Sequence, residues 1–219
     1  MFDFDGLVVD TESAAYRAWQ EVYESRGQAL GLEEWSGAIG TLGGFDAGAH
    51  LERLTGLPLD QEAVERTWRK HELAGREPAR PGVLEYLDDA RCLGLRLAIA
   101  SSDTFEWVDG HLRRLGLEER WDFVACADGD PSIAKPSPHL YLTALDAIGA
   151  GPHEAIALED SPNGIRAAKL AGLFCVAVPN PVTVHLDLGE ADLVVDSLAE
   201  LPLEALLREV RQVSDSPIR

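Results

Sequence analysis

The chain has 219 residues, 46% hydrophobic and 26% charged, a globular composition that excludes a disordered tail or a fibre. Its 38 acidic against 19 basic residues give a formal charge of -19, which repels phosphate backbones and anionic lipid. Nucleic acid and membrane are therefore poor partners, and an anionic small substrate requires a few Lys or Arg residues or a bound cation to reverse the local sign. No apolar run reaches the roughly 18 residues of a membrane span, and Met1, Phe2 and Asp3 show no leader pattern, so a cytoplasmic protein is expected. Cys92, Cys126 and Cys175 are an odd set without C-x-x-C spacing; reduced thiols are expected, with no disulfide and no structural metal.

In chain order, a short apolar start with turn chemistry, Phe2 to Gly6, leads into Leu7, Val8 and Val9. From Ser13 to about Gly75 the periodicity is helical throughout, with Ala14, Ala18, Val22, then Ala47, Leu51, Leu54, then Ala63, Thr67, Leu73 on apolar faces. The segment Arg76 to Gly82 has the prolines and glycine of a boundary. Helices are then predicted at Val83 to Leu93, Thr104 to Leu115, Pro138 to Ile148, Asn163 to Leu170 and Leu198 to Val210. Between them lie the apolar runs Leu95 to Ala100, Phe123 to Ala127, Ala155 to Leu158, Phe174 to Val178 and Leu193 to Val195. Short apolar runs alternating with helices indicate βαβ units and a parallel sheet covered on both faces. Gln212 to Arg219 is polar and expected to fray. The predicted architecture is α/β, a doubly wound parallel sheet of residues 1–12 and 81–219, with residues 13–80 inserted as a helical cap.

Open α/β sheets bind ligands beyond the carboxyl ends of their strands, so the residues after each run carry the information. They are Asp3 and Asp5 after Phe2, Ser101 and Ser102 after Ala100, Lys135 in the loop before the Pro138 helix, and Glu159 and Asp160 after Leu158. Two carboxylates one residue apart at a strand end can face the same way. Joined by Asp160 they make an oxygen-rich site of the kind Mg²⁺ prefers. Lys135 and Ser101 would supply a charge and a hydroxyl for the oxygens of a phosphoryl group. Taken singly, Lys135 reads as a solvated lysine, Ser101 as a helix cap and Glu159-Asp160 as a turn. It is their joint occurrence at four strand ends of one sheet that points to chemistry.

The strings F-D-F-D-G-L-V-V-D-T-E, L-A-I-A-S-S-D, A-K-P-S-P and L-E-D-S-P-N-G-I-R-A-A-K-L-A-G resemble the four motifs of the haloacid dehalogenase (HAD) superfamily. The subgroup is the one similar to β-phosphoglucomutase and small sugar-phosphate phosphatases. The resemblance covers the whole chain, including the helical cap. It implies Asp3 as nucleophile, Asp5 as general acid/base, and Ser101 with the Ser102 amide as phosphoryl ligands. Lys135 would offset charge between Asp3 and the phosphoryl group. Asp160, Glu159, Asp3 and the Asp5 carbonyl would hold Mg²⁺. The implied function is Mg²⁺-dependent hydrolysis of a small phosphorylated metabolite by a monomeric enzyme through an aspartyl phosphate.

Two departures stand out. His139 follows K-P-S-P where the subgroup has Asp or Glu, for which only a helix-cap effect is expected. Only two residues precede Asp3, while strands average about five or six, so an upstream start is expected.

Three rivals remain. A β-phosphoglucomutase-type mutase would carry a histidine at the position of Ala15 and an arginine in the cap, but Gly40 to Gly48 has no arginine. A phosphoryl-receiver signalling module would lack residues 13–80, and a catalytically dead binding protein would have lost a motif carboxylate. In the cap, His50, Arg53, Arg66, Arg69, Lys70 and His71 read as a solvated face, and Trp19, Trp35 and Trp68 as core.

Overall fold

The computed structural model of the chain describes residues 1–35, 39–40 and 45–214. Among the described residues five helices come first: α1 (Thr11–Ser25), α2 (Leu32–Trp35), α3 (Ala47–Thr55), α4 (Gln61–Thr67) and α5 (Arg69–Ala74). After them helices and strands alternate: α6 (Val83–Cys92), β1 (Ala98–Ser101), α7 (Phe105–Leu115), β2 (Phe123–Cys126), α8 (His139–Ile148), β3 (Ile156–Glu159), α9 (Pro162–Leu170), β4 (Phe174–Ala177), β5 (Leu193–Val194) and α10 (Leu203–Ser214). Local chemistry marks the helix starts. The Asp10 side chain accepts the Ser13 N–H, Thr104 accepts that of Trp107, and Ser161 accepts that of Gly164 just before Pro162 at the first helical turn.

The strand pairs are parallel: β1 with β2, β3 with β4, and β4 with β5. Phe2 joins the two halves by bridging Ile99 on one side and Leu158 on the other. The spatial order is thus β2, β1, the Phe2 segment, β3, β4, β5, and the chain reverses direction across the sheet at Phe2. In an open α/β sheet that is where a ligand crevice forms, beyond the carboxyl ends.

Side-chain alternation divides the core in two. Ala98, Ala100, Ala157, Cys175 and Ala177 face one way, into a cluster with Leu140, Tyr141 and Ala144 of α8 and Ile165 and Ala168 of α9. Ile99, Leu158 and Val176 face the other way, among Tyr86 and Leu87 of α6, Val108 and Leu112 of α7 and Leu206 of α10. Both faces are dry, as the continuous apolar runs require. The small residues sit on the α8 and α9 side and let those helices approach the sheet closely.

The five-helix block has its own apolar cluster, built from Val22, Tyr23, Leu30, Trp35, Leu51 and Ala63, with Val182 contributed from beyond β4. Its two connections to the rest run side by side, where Val9 bridges Ala79 and the Arg80 N–H donates to the Val8 carbonyl at 2.9 Å.

Several expectations shift. Leu7 to Val9 form a buried turn, closed by the Gly6 N–H on the Val9 carbonyl at 2.7 Å. Helix α10 starts at Leu203 because Pro202 supplies the start, not Leu198. Trp68 is 66% exposed and is not part of the core expected of it, since it occupies the junction between two short helices. Cys175 is buried, Cys126 half-buried and Cys92 exposed, all free thiols. Of the tail expected to fray, helix α10 continues through Ser214 and residues 215–219 lie outside the described residues, as do residues 41–44 of the arginine-free stretch. Among the described residues no helix is long and apolar enough to cross a membrane.

Candidate active site

The carboxyl edge of the sheet gathers the acidic residues onto one lysine. Lys135 is 1% exposed; its Nζ donates to Asp3 Oδ1 at 2.5 Å and to Glu159 Oε1 at 2.6 Å. Burial works to strip its charge, but the charges of Asp3 and Glu159 more than offset this and hold its pKa raised. Tyr141 on α8 donates to the same Glu159 oxygen at 2.7 Å, and Glu159 Oε2 accepts the Asp160 N–H at 3.2 Å. Both Glu159 oxygens are thereby fixed.

Asp160 is also buried. Its Oδ2 accepts from Asn180 Nδ2 at 2.7 Å, while its Oδ1 has no hydrogen-bond partner among the described residues. Oxygens of Asp3, Glu159 and Asp160 come within 4.8 Å of one another. Packing so many carboxylates around one cation raises their pKa values. Burial pushes Glu159 up to about 7 against the pull of Lys135, with Asp3 adding repulsion. Burial, then Asp3 and Glu159, carry Asp160 well above the carboxylate range, and burial raises Asp3 despite Lys135.

Asp5 points elsewhere. Its Oδ1 accepts from Thr11 Oγ1 and from Trp107 Nε1, both at 2.8 Å, and its Oδ2 accepts from Ser101 Oγ at 3.2 Å. Burial and the nearby Asp103 raise its pKa. The turn between Asp5 and the helical block needs Gly6, which has φ +82° and where a Cβ would lie 2.2 Å from Asp160 Oδ2. Arg80 clamps the same turn, donating to the Gly6 carbonyl at 2.6 Å and to those of Val178 and Pro179 at 3.1 and 2.6 Å.

A cavity of about 240 Å³ opens over these groups, lined by Asp3, Asp5, Ser102, Asp103, Trp107 and Lys135 below and by Thr11, Glu12, Ala15, Trp35, Gly40, Lys70 and Ala74 from the helical block. The predicted residues are thus brought together. Asp3, Lys135, Glu159 and Asp160 form one cluster; Asp5 and Ser101 form a second beside it. Ser102 lines the cavity and receives the Lys135 backbone N–H on its hydroxyl at 3.1 Å. Lys70 is exposed, as expected, and also lines the cavity; its charge opposes the effects of burial and of Asp5, Asp3 and Asp10, which push Glu12 up to about 8. His71 packs on Trp107, His50 hydrogen-bonds Tyr23, and Arg66 and Arg69 are surface ion pairs with Glu62 and Glu21. His139 is exposed at the start of α8.

Asn180 and Trp107 escaped the sequence reading. Asn180 follows the apolar run of β4, a fifth strand end of the same kind as the four inspected. Trp107 lies in the first turn of α7, shortly after an ordinary N-cap threonine, and nothing in its neighbours in sequence sets it apart from a core aromatic.

Residues 1–172 match the haloacid dehalogenase-like hydrolase family. The chain is 43% identical over 210 residues to YhcW of Bacillus subtilis (strain 168), covering 94% of each chain. It is 29% identical over 225 residues to the phosphorylated carbohydrates phosphatase of Thermotoga maritima, covering 97% of this chain and 98% of that one. Among solved structures it is similar to a mutant of CbbY from Rhodobacter sphaeroides in complex with xylulose-(1,5)bisphosphate, with 32% identity, a TM-score of 0.73, and 94% and 96% of the two chains covered.

The buried ion cluster makes Lys135 a stability determinant. Lys135→Met leaves Asp3 and Glu159 without their cation, which should cost about 3–5 kcal/mol at pH 8. The sign with pH follows from the carboxyls. Without Lys135 their folded pKa values rise further above the unfolded ones. The variant therefore keeps its stability below the ordinary 4.5 of a glutamate and loses it as pH rises through the folded value, for Glu159 beyond about 7. Urea unfolding of both proteins in chelator should show a deficit that is smallest near pH 5 and grows toward pH 8; groups common to both proteins cancel in the difference.

Proposed function

The chain belongs to the haloacid dehalogenase-like hydrolase family, and from that premise we propose that it is a Mg²⁺-dependent phosphatase of small phosphorylated metabolites, sugar phosphates above all, working through an aspartyl phosphate on Asp3. The observation that carries this reading is the buried lysine shared by Asp3 and Glu159 next to an Asp160 oxygen that no described residue satisfies. Residues 13–80 act as the cap over a core of residues 1–12 and 81–219. In support, the block supplies one wall of the cavity and its two connections meet at a single bridge.

The donor set fits Mg²⁺: a hard, all-oxygen cluster in which Asp160 Oδ1 is buried without a partner among the described residues. Asp3 and Asp160, with Glu159 and the Asp5 carbonyl, would hold the ion. When bound it would supply Lewis-acid charge that offsets the repulsion between Asp3 and a phosphate dianion. The remaining work falls to the chain. Asp3, as the carboxylate paired with Lys135, attacks phosphorus with an oxygen, and the bond to the leaving oxygen breaks. Asp5 gives that oxygen its proton. In the second step Asp5 takes a proton from water, whose oxygen attacks the aspartyl phosphate, releases inorganic phosphate and restores Asp3. Ser101, the Ser102 amide and Lys135 receive the oxygens of the transferred group.

The cavity is the size of a small monoester, and Lys70 and Glu12 on its cap side suit a substrate with both an anionic and a hydroxyl-bearing part. The name of the Thermotoga maritima relative and the ligand of the CbbY complex are both phosphorylated carbohydrates, which supports a sugar phosphate here. A mutase is disfavoured by Ala15, which lines the cavity with a side chain that neither donates nor accepts.

Asp3→Asn should lower turnover of a phosphorylated sugar panel by on the order of 10⁴-fold or more with the fold retained, and chelation of the wild type should abolish it. If the Asp3→Asn variant turns over at the wild-type rate, Asp3 is not the nucleophile. Asn180→Ala, which frees Asp160 Oδ2, should raise the Mg²⁺ concentration for half-maximal activity by about 10–100-fold in a metal titration. With β-glucose 1-phosphate and a trace of the 1,6-bisphosphate, phosphorus NMR should show inorganic phosphate forming faster than glucose 6-phosphate. The opposite order would favour the mutase.

A further inference from the structure

We propose that Trp107 is the positioning residue of the reaction: its indole N–H holds the Asp5 carboxyl so that Oδ2 is the oxygen that exchanges the proton with the leaving group. This rests on the assignment of Asp5 as acid/base and adds to it a residue that the four strand-end motifs do not contain.

Three donors reach Asp5, and they are not equivalent. The hydroxyls of Thr11 and Ser101 can each turn to accept as well as donate, so neither dictates what the carboxyl oxygen opposite carries. The indole N–H can only donate. Because it approaches Oδ1 at 2.8 Å, that oxygen stays an acceptor through the whole cycle, and the exchangeable proton is left to Oδ2 on the side of Ser101. Ser101 closes β1 at the edge where the phosphoryl group is to be held, which assigns the exchangeable proton to the Asp5 oxygen on that side.

The ring that provides this donor is itself held. Its backbone N–H caps onto Thr104 at 3.3 Å, which fixes the first turn of α7. His111, one turn along the same helix, meets the indole edge-on with centroids 4.4 Å apart, and His71 of the helical block meets it at 5.0 Å. The indole therefore links helix α5 to the acid/base. Placing a proton-transfer group wrongly by about 1 Å can cost on the order of 10²-fold.

The discriminating experiment uses leaving groups. p-Nitrophenolate departs without a proton, whereas an alkoxide needs one, so kcat/KM for p-nitrophenyl phosphate reports phosphoryl transfer with little help from Asp5 and kcat/KM for ribose 5-phosphate reports it with full help. Replacing Trp107 by 3-benzothienylalanine keeps the ring and deletes only the N–H; Trp107→Phe is the companion variant, and thermal unfolding confirms that both fold. The isostere should lose about 10–100-fold in kcat/KM on ribose 5-phosphate and less than about 3-fold on p-nitrophenyl phosphate. A structural role would lower both by the same factor, and that result, no loss, or a gain on ribose 5-phosphate would each overturn the proposal. Asp5→Asn separates this from the underlying assignment. If Asp5→Asn retains wild-type kcat/KM on ribose 5-phosphate, the acid/base assignment itself fails; if it does not while the isostere behaves as wild type, only the role of Trp107 fails.

Discussion

An ammonium group buried among carboxylates is the constraint on which the rest of this structure depends. Lys135 keeps its charge out of water with Asp3 and Glu159 reaching it at 2.5 and 2.6 Å, and in turn it opposes the burial that raises the pKa of both carboxylates. They come from different strand ends, so the pair also ties the Phe2 segment to β3. The tie requires close packing on one face of the sheet. Alanines and a cysteine on that face let α8 approach, and Tyr141 can then complete the Glu159 oxygen that Lys135 has already engaged.

Around that tie the site separates into two parts with different electrostatic needs. On one side Asp3, Glu159 and Asp160 crowd together with more carboxylates than one lysine can balance, and Asp160 is held in place by Asn180 with one oxygen unsatisfied among the described residues. That side is built to receive positive charge. On the other side Asp5 takes neutral hydrogen-bond donors on both oxygens, surroundings that suit the proton exchange proposed for it. Gly6 and Arg80 keep the two sides apart yet adjacent: at Gly6 the backbone passes so close to Asp160 that a Cβ would lie 2.2 Å from its Oδ2, and the arginine pins the Gly6 carbonyl.

Much of this was legible from strand ends. Asp3, Asp5, Ser101, Glu159 and Asp160 follow hydrophobic runs in a pattern of alternating strands and helices, Lys135 lies in the loop beyond another, and parallel sheets present such positions on one edge. The helical character of the block that α1 to α5 form follows from 3.6-residue periodicity, and helix starts from Asp10, Thr104 and Ser161 as caps. Lys70 was not legible as a cavity residue, since a lysine beside Arg69 and His71 on a short polar helix has the pattern of a solvated face. Trp68 reads as core and is exposed, while Trp107 carries no signal of its role. Aromatic residues on helices signal burial in general, and whether one lies at an open junction or points its N–H at a carboxylate depends on what packs above it.

The amino-acid sequence by itself determined the class of fold, the edge of the sheet and the carboxylates and lysine that gather there, because periodicity and chain order place strand ends together. Only the tertiary structure decided how those groups divide: that Lys135 bridges Asp3 and Glu159, that one Asp160 oxygen has no partner among the described residues, that Asn180 supports Asp160 and that Trp107 holds Asp5. The reason is one of distance along the chain. These contacts join residues 20 to 132 positions apart, through side-chain directions fixed by the packing of whole helices against the sheet, and no local pattern encodes such a direction.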